Sequence, residues 1–274
     1  MSSVVSQSPK RSIHPTALVS KEAWLEEGVE VGPYSTIGPQ VKIGKHTKIG
    51  GHVHIEGDTE IGERCRIFTG AVLGTLAQTL TTKTVRSGLS IGDDNVLREY
   101  VTVNASMKDG SRTLIGDRNM LMTNAHVAHD CVLGNDVVMA NLATLGGHVA
   151  VEDGAVIGGL VGVHQFVRVG RLAMVGACSK AAMDVPPFSL VDGYPARFCG
   201  ANNVGLKRAG FSPARRLAIK KALRLIFGSR SFSTTLPRVR REFKDNPDVQ
   251  TILSFIEKSK RGVLRGSSAL SQEE

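Results

Sequence analysis

The chain has 274 residues, 41% of them hydrophobic and only 5% aromatic, which excludes wholesale disorder and requires a core of aliphatic side chains. No run of about 20 apolar residues occurs, so we expect no membrane span. The formal net charge of +9 is concentrated in residues 201–274, where 16 Lys and Arg stand against 6 Asp and Glu. This basic segment is either a solvated helical face or a docking surface for an anionic partner.

The N-terminal residues and the cysteines indicate a cellular compartment. Residues 1–11 are polar and lack the apolar run of a signal peptide, so we predict a disordered tail there. The four cysteines are far apart in the sequence and form no CxxC pair: Cys65, Cys131, Cys178 and Cys199. This usage favours a reducing compartment and argues against a disulfide framework or a cysteine zinc site.

An aliphatic residue recurs every six residues from residue 13 onward. Of the 29 slots between residues 13 and 181, 26 hold Ile, Leu, Val or Met, and the exceptions are Thr79, Asp109 and Ala181. A helix repeats every 3.6 residues and a strand every two, so a period of six predicts a parallel β-helix in which three hexads close one 18-residue coil. Gly often follows the aliphatic residue, where we expect it to relieve crowding at the turn. We predict an all-β parallel β-helix over residues 12–190, left-handed as in the hexapeptide-repeat class that it resembles.

Two stretches interrupt the hexads without shifting their phase. They cover residues 75–90 and 104–112, and both are polar. We predict loops that project from the coils, because binding groups usually sit on loops carried by a rigid scaffold.

Helical patterns follow the end of the repeat at Pro186-Pro187. Ser212-Pro213 predicts a helix start, with Ser as the N-cap and Pro in the first turn. A second helix is predicted over about 236–244 and a third from about Pro247. Residues 191–274 are therefore predicted to form a C-terminal α-helical, basic domain.

Histidines cluster near the end of the repeat. Four of the eight are His126, His129, His148 and His164. With three hexads in a coil, His148 falls above position 130 and His164 above position 128, and neighbouring coils are about 4.8 Å apart. The register predicts one groove lined by imidazoles from successive coils.

Such a groove is suited to proton transfer. A neutral imidazole is the usual general base near pH 7, and Asp130 follows His129 and can orient its ring. A backbone N–H of Gly146-Gly147, one coil above, can face a developing oxyanion. No Ser or Cys occupies a nucleophile elbow, which favours direct transfer. Surface histidines without a catalytic role and a zinc site are the alternatives.

Residues 124–131 read NAHVAHDC, which resembles the NAHxAHDC signature of the UDP-N-acetylglucosamine O-acyltransferases. The similarity continues in four further segments: ATLGGHV at 143–149, VHQF at 163–166, DVPP at 184–187 and GLKRAGFS at 205–212. It covers essentially residues 12–262, and its motifs are specific to the family.

The resemblance implies an activity and a set of roles. The family is homotrimeric and cytoplasmic, and it transfers a 3-hydroxyacyl group from acyl carrier protein to the 3-hydroxyl of UDP-N-acetylglucosamine, the first committed step of lipid A biosynthesis. His129 is then the general base, Asp130 its orienting partner and the Gly147 N–H the oxyanion contact. The implied substrate-binding residues are His126, His148, His164, Gln165, Gln78, Asn202 and Arg208. No metal and no other cofactor is expected, and the basic segment would face the acidic carrier protein or the nucleotide.

Several positions depart from the family pattern. The family's QDLK is QTLT at 78–81, its HRGT is NASM at 104–107, and the glutamate and second arginine around GLKRR are Val204 and Ala209. These departures leave two alternatives open. The chain acylates a different nucleotide sugar, or it is a non-catalytic relative that only binds the carrier protein or a sugar nucleotide.

Two other function classes are weaker alternatives. A metal enzyme of the γ-carbonic-anhydrase type uses the same solenoid with histidine ligands, but the helical tail and the GLKR segment argue against it. Nucleic-acid binding is not expected, because few aromatics are interleaved with the basic residues and no nucleic-acid motif is present.

Overall fold

The structure is a computed structural model that describes residues 11–80, 86–229 and 231–266. The tail predicted over residues 1–11 lies outside the described residues except for Arg11. The chain divides into two compact units, Met1–Asn135 and Asp136–Glu274. Within the described ranges, no helix combines the length and the apolar character needed to cross a membrane.

Short strands build the first unit. They are β1 (Ser12–Ile13), β2 (Leu18–Val19), β3 (Trp24–Leu25), β4 (Glu30–Val31), β5 (Thr36–Ile37), β6 (Lys42–Ile43), β7 (Lys48–Ile49), β8 (His54–Ile55), β9 (Asp58–Ile61), β10 (Arg66–Ile67), β11 (Val72–Thr75), β12 (Gly88–Ile91), β13 (Val96–Leu97), β14 (Thr102–Asn104), β15 (Arg112–Ile115), β16 (Met120–Leu121), β17 (His126–Val127) and β18 (Val132–Leu133). Within this unit, each strand from β1 to β15 is hydrogen-bonded to the strand three places along the chain, so that three parallel sheets form.

The register of these sheets reproduces the hexads. Val19 of β2 lies opposite Ile37 of β5, and Leu25 of β3 lies opposite Ile43 of β6, so that each residue faces its equivalent one regular coil later. From Leu25 onward, the aliphatic residues of the hexads within the strands are buried. The predicted coil of three hexads around an aliphatic interior is confirmed.

Two loops enlarge coils of the first unit. Ile67 pairs with Leu97, and Val103 pairs with Val127, so both partners lie further along the chain than one regular coil. Each of the enlarged coils still contains a whole number of hexads, which explains why the sequence phase survives the interruptions.

The first predicted loop is too long at both ends, and at its N-terminal end Thr75 belongs to β11. Residues 88–90 were included in it, yet they belong to β12, where Leu89 pairs with Thr59 of β9 and is fully buried. Gly88 and Ser90 flank Leu89 without an aliphatic side chain, so the pattern of this strand resembles a polar loop. The second loop, predicted over 104–112, lies between β14 and β15, but its predicted end residues, Asn104 and Arg112, belong to those strands.

Glycine in the hexads serves close approach between coils. A Cβ at Gly44 would lie 2.7 Å from the carbonyl carbon of Gly62 in the next coil. The left-handed corners fall elsewhere, on residues with side chains such as Tyr34, with φ 57°, and His52, with φ 56°. Gly therefore relieves crowding between coils, and our expectation that it acts at the turn is corrected.

The second unit continues with strands and ends in helices. Its elements are β19 (Val138–Met139), β20 (Thr144–Leu145), β21 (Ala150–Val151), β22 (Val156–Ile157), β23 (Gly162–Val163), β24 (Arg168–Val169), β25 (Met174–Val175), β26 (Lys180–Ala181), β27 (Ser189–Gly193), β28 (Ala196–Ala201), α1 (Asn203–Arg208), α2 (Pro213–Gly228), α3 (Phe232–Glu242) and α4 (Pro247–Glu257). β27 pairs in parallel with β25, and β28 pairs antiparallel with β27. This hairpin spans residue 190, where we predicted the boundary between the β-helix and the C-terminal domain. That boundary stays a prediction.

The helices pack on this hairpin through an aromatic and aliphatic core. The core includes Phe188, Phe198, Leu206, Phe211, Ile219, Leu223, Phe227, Ile252 and Leu253. Ser212 caps α2 by accepting from the Arg215 N–H at 3.3 Å, as predicted. The Arg215 guanidinium donates to both carboxylate oxygens of the buried Asp248 at 2.9 and 2.8 Å, which joins α2 to α4.

The short helix α1 was not predicted, and α3 begins before the predicted residue 236.

Candidate active site

The candidate residues fall in both compact units. The first unit holds Gln78, His126, His129 and Asp130, and the second holds Gly147, His148, His164, Gln165, Asn202 and Arg208. Each set is described within its own unit.

His129 and Asp130 form a hydrogen-bonded pair. His129 Nδ1 lies 2.8 Å from Asp130 Oδ2, and the two side chains are 16% and 8% exposed. Asp130 occupies a left-handed corner with φ 59°, and its N–H donates to Thr113 Oγ1 at 2.9 Å. A carboxylate oxygen only accepts, so Nδ1 carries the proton and the lone pair of the neutral imidazole is on Nε2. This tautomer is the one that a general base needs.

The Asp130 carboxylate also bonds to the second loop. Ser106 Oγ donates to Oδ1 at 2.5 Å, and the Met107 N–H donates to Oδ2 at 3.3 Å. Both oxygens are therefore engaged, and the plane of the carboxylate is fixed. Because the carboxylate bonds to His129, the loop contributes to the orientation of the imidazole.

His126 is a second imidazole in the same unit. It pairs in register with Thr102, and Thr102 Oγ1 lies 2.7 Å from His126 Nδ1. Burial and, to a lesser extent, the charge of protonated His129 lower the pKa of His126 from its ordinary 6.5. His126 is therefore neutral at pH 7 and suited to hydrogen bonding with a polar ligand.

The lowered pKa of His126 predicts a loss of folding stability in mild acid. Below pH 6.5 the unfolded chain protonates this residue more readily than the folded chain, so the free energy of unfolding falls as the pH falls through that range. Urea unfolding between about pH 5 and 7 should show a shallower pH dependence in His126→Gln than in the wild type. Equal pH dependence in both proteins would contradict this assignment.

Gln78 lies in the loop that follows β11 and is exposed. Asn104 anchors the start of that loop, because its Nδ2 donates to Thr75 Oγ1 at 3.0 Å and to the Leu76 carbonyl at 3.1 Å. A substrate contact by Gln78 stays a prediction, as does the effect of Thr79. Residue 81, named with them, lies outside the described residues.

Gly147 and His148 lie at a corner of the second unit. His148 has a positive φ of 61°, and its ring stacks on Phe166 with centroids 4.5 Å apart and planes 4° apart. The Phe166 N–H donates to the Gly147 carbonyl at 3.0 Å. A Cβ at Gly146 would lie 2.8 Å from the backbone nitrogen of Gln165, so a side chain there would force the coils apart.

His164 is held by an arginine from the C-terminal segment. Arg261 Nη2 lies 2.8 Å from His164 Nδ1, and Arg261 Nε donates to the Ala182 carbonyl at 2.8 Å. A guanidinium only donates, so His164 Nδ1 holds the lone pair and Nε2 carries the proton. The Gln165 carbonyl, 3.2 Å from the same Nδ1, therefore receives no proton from it. His164 and Gln165 are both exposed, and His164 has an N–H donor available at Nε2.

Asn202 and Arg208 stand at the two ends of α1. Asn202 Oδ1 accepts from the Gly205 N–H at 3.0 Å, and Nδ2 donates to the Leu172 carbonyl at 2.9 Å, so Asn202 is a helix cap. Arg208 lines a cavity of about 570 Å³ whose other residues are Asn203, Val204, Lys207 and Arg216. The basic lining suits an anion, and the binding roles of Asn202 and Arg208 stay predictions.

Three residues of the site have no role predicted from the sequence. Thr102 pairs with His126 across a coil that the second loop enlarges, so the regular coil of three hexads does not bring the two residues together. Ser106 and Met107 lie in the second loop, and the hexad pattern does not predict the path of the chain there. The one sequence feature that marks them is their place in NASM at 104–107, which differs from the family's HRGT.

Two protein families match parts of the chain. The family described as UDP-N-acetylglucosamine O-acyltransferase, domain 2, matches residues 184–264. The family described as bacterial transferase hexapeptide (six repeats) matches residues 22–57, 41–75 and 112–147.

Curated relatives and solved structures match nearly the whole chain. The acyl-[acyl-carrier-protein]–UDP-N-acetylglucosamine O-acyltransferase of Thermodesulfovibrio yellowstonii is 46% identical over 255 residues, which are 92% of this chain and 99% of that protein. The protein of the same name from Halorhodospira halophila is 48% identical over 256 residues, with the same shares of both chains. The solved UDP-N-acetylglucosamine acyltransferase of Campylobacter jejuni superposes with a TM-score of 0.88 at 33% identity, and covers 93% of this chain and 100% of that one.

These similarities confirm the predicted fold class, an all-β left-handed parallel β-helix followed by C-terminal α-helices. They also select the acyltransferase interpretation over the γ-carbonic-anhydrase alternative. With relatives this similar over nine-tenths of its length, the chain belongs to the UDP-N-acetylglucosamine O-acyltransferase family.

Proposed function

We propose that this acyltransferase moves a 3-hydroxyacyl group from acyl carrier protein to the 3-hydroxyl of UDP-N-acetylglucosamine, the first step of lipid A biosynthesis. The observation that carries the proposal is the bond of 2.8 Å between His129 Nδ1 and Asp130 Oδ2. This bond leaves the imidazole in the tautomer that accepts a proton at Nε2. The names of the relatives describe the same reaction.

In the proposed reaction, His129 Nε2 takes the proton of the sugar 3-hydroxyl while that oxygen attacks the thioester carbonyl. Asp130 stabilises the resulting imidazolium. The backbone N–H of Gly147 donates to the oxyanion of the tetrahedral intermediate. When the intermediate collapses, the carbon–sulfur bond breaks and the sulfur takes the proton back from the imidazolium, so an ester and a free thiol are formed. The reaction requires no metal or other cofactor.

The remaining candidate residues are proposed to bind the substrates. They are Gln78, His126, His148, His164, Gln165, Asn202 and Arg208. Neutral His126 is a hydrogen-bonding partner without charge, and His164 offers a donor at Nε2. Arg208, in its basic cavity, suits a phosphate group.

The basic segment is proposed to dock the acidic acyl carrier protein. Lys220 and Lys221 of α2 are exposed, whereas Arg215 is engaged with Asp248 and supports the fold. The double charge reversal Lys220→Glu/Lys221→Glu should therefore raise KM for the acylated carrier at least about fivefold and leave kcat nearly unchanged. Steady-state kinetics at two salt concentrations measures this, and the effect should shrink at high salt.

The matched control reverses two exposed lysines of the first unit, Lys21→Glu/Lys45→Glu. It changes the net charge equally but leaves α2 intact. If both double variants have the same KM for the carrier, the basic surface of α2 is exposed to solvent and does not dock the carrier.

We also propose a homotrimer with active sites between subunits and a cytoplasmic location. The family resemblance supports the trimer. The free cysteines, Cys65, Cys131, Cys178 and Cys199, support a reducing compartment. Light scattering at micromolar concentration should give three times the mass of the chain, and a monomer would contradict the trimer.

The acceptor is tested by a panel of UDP-sugars and 3-hydroxyacyl carrier proteins, with products read by mass spectrometry. UDP-N-acetylglucosamine should be acylated most rapidly. A second candidate is a different nucleotide sugar, because Val204 stands 63% exposed where the family has a glutamate. Faster acylation of another UDP-sugar would select that candidate, and no acylation of any would favour a non-catalytic relative.

A further inference from the structure

Ser106 lies at the centre of the contact between the second loop and the catalytic pair. Its side chain is buried, with 2% of the residue exposed. Its hydroxyl donates to Asp130 Oδ1 at 2.5 Å and accepts from the Lys108 N–H at 3.0 Å. The Lys108 carbonyl, 3.4 Å from the same oxygen, is the more distant acceptor, so the hydroxyl hydrogen goes to the carboxylate.

The backbone around Ser106 is held by strands of the neighbouring coil. The Ser106 N–H donates to the Gly88 carbonyl at 3.1 Å, and the Ala105 N–H donates to the Thr75 carbonyl at 2.9 Å. The Ser87 hydroxyl donates to the Ser106 carbonyl. The serine is thus presented to Asp130 on a fixed backbone.

We propose that Ser106 is a positioning residue for acyl transfer, which acts on His129 through the Asp130 carboxylate. The inference rests on the proposed role of His129 as the base. Ser106 stands where the resembled HRGT motif has glycine, which lacks a side-chain donor, so a chain with that motif could not form this bond from the same position. The departure from the motif therefore serves the catalytic pair and leaves the proposed chemistry intact.

The hydrogen bond has a predictable electrostatic effect. By donating to Oδ1, Ser106 draws negative charge away from the oxygen that faces His129, and Asp130 stabilises the imidazolium less than it otherwise would. Without the hydroxyl, the imidazolium is favoured and its orientation is looser. We therefore expect the acidic limb of the activity profile to move to higher pH when the hydroxyl is removed.

The test compares Ser106→Ala with Ser90→Ala in the full chain. Ser90→Ala is the matched control, because it removes a serine hydroxyl that accepts from Arg112 Nε at 2.7 Å, a bond that involves neither Ser106 nor Asp130. In Ser106→Ala, the midpoint of the acidic limb of kcat should rise by about 0.5 pH unit, and kcat at pH 7 should fall about 3- to 10-fold. Ser90→Ala should leave the midpoint unchanged.

A second readout needs no turnover. The imidazole NMR signals of the substrate-free protein, assigned by their loss in His129→Ala, should show the same upward shift of the His129 midpoint in Ser106→Ala only. Absence of a shift, or an equal shift in Ser90→Ala, overturns the proposal. If Ser106→Ala does not fold, Ser106→Thr should keep the wild-type midpoint and Ser106→Cys, a weak donor, should raise it; the same midpoint in both overturns the proposal. Failure of the wild type to transfer an acyl group would overturn the proposed function while this titration stays interpretable.

Discussion

Replacement of His129 by alanine is expected to lower kcat at least about 100-fold, because general-base catalysis commonly contributes 10²- to 10⁴-fold. The sugar hydroxyl is a poor nucleophile until its proton is removed, and His129 bonded to Asp130 is the group proposed to remove it. KM for the nucleotide sugar should change much less, because the imidazole acts mainly on the proton in transfer. Steady-state kinetics with saturating carrier substrate measures both quantities.

The order among related variants separates this role from a structural one. Asp130→Asn should cost less than His129→Ala, because it removes a charge and misorients the ring but leaves the imidazole in place. His126→Ala should fall between the two or act through KM, and His14→Ala, at an exposed site, should be silent. If His129→Ala keeps near-normal turnover while His126→Ala is inactive, the base has been misassigned.

Alanine at Gly74 is expected to lower the free energy of unfolding by about 3 kcal/mol, the sum of left-handed strain and overpacking. Gly74 has φ +79° and lies at the irregularity where β11 shifts its register against β14. A Cβ there would overlap Thr59 Oγ1 and the carbonyl oxygen of Glu56, two atoms that are hydrogen-bonded to each other. Urea unfolding at equal protein concentrations measures the loss.

Gly110→Ala is the control for that variant. Gly110 also has a positive φ, +68°, but among the described residues other than its two chain neighbours no atom lies within 4 Å of the position its Cβ would take. It should therefore cost only the backbone strain, about 1 kcal/mol. Equal losses at Gly74 and Gly110 would show that the close approach at the start of the first loop is not a constraint on the fold.

The hexads were sufficient to predict the coils. A period of six fits neither a helix nor a simple strand, and the pairing of Val19 with Ile37 follows directly from three hexads in a coil. The period did not predict β12, because Gly88 and Ser90 hide a buried strand in a polar stretch. It also did not predict α1, which is six residues long and too short to show a helical period.

The candidate site was predictable where it depends on neighbours in the sequence. His129 and Asp130 are adjacent, and their hydrogen bond follows the expectation. The donor Ser106 lies far from them in the sequence, in a loop whose path depends on backbone bonds to Gly88 and Thr75, and no repeat encodes those contacts. Asn202, predicted from a motif as a ligand contact, also caps a helix that the sequence pattern did not reveal.

The position of the new ester on the product tests the proposed reaction most directly. The purified wild-type protein would be incubated with a 3-hydroxyacyl carrier protein and UDP-N-acetylglucosamine, and the product isolated for mass spectrometry and proton NMR. We expect one added 3-hydroxyacyl group, a downfield shift of the sugar H3 signal, release of one carrier thiol per ester, and no product with His129→Ala. An unmodified nucleotide sugar, an ester at another hydroxyl, or equal product from His129→Ala would contradict the proposed function.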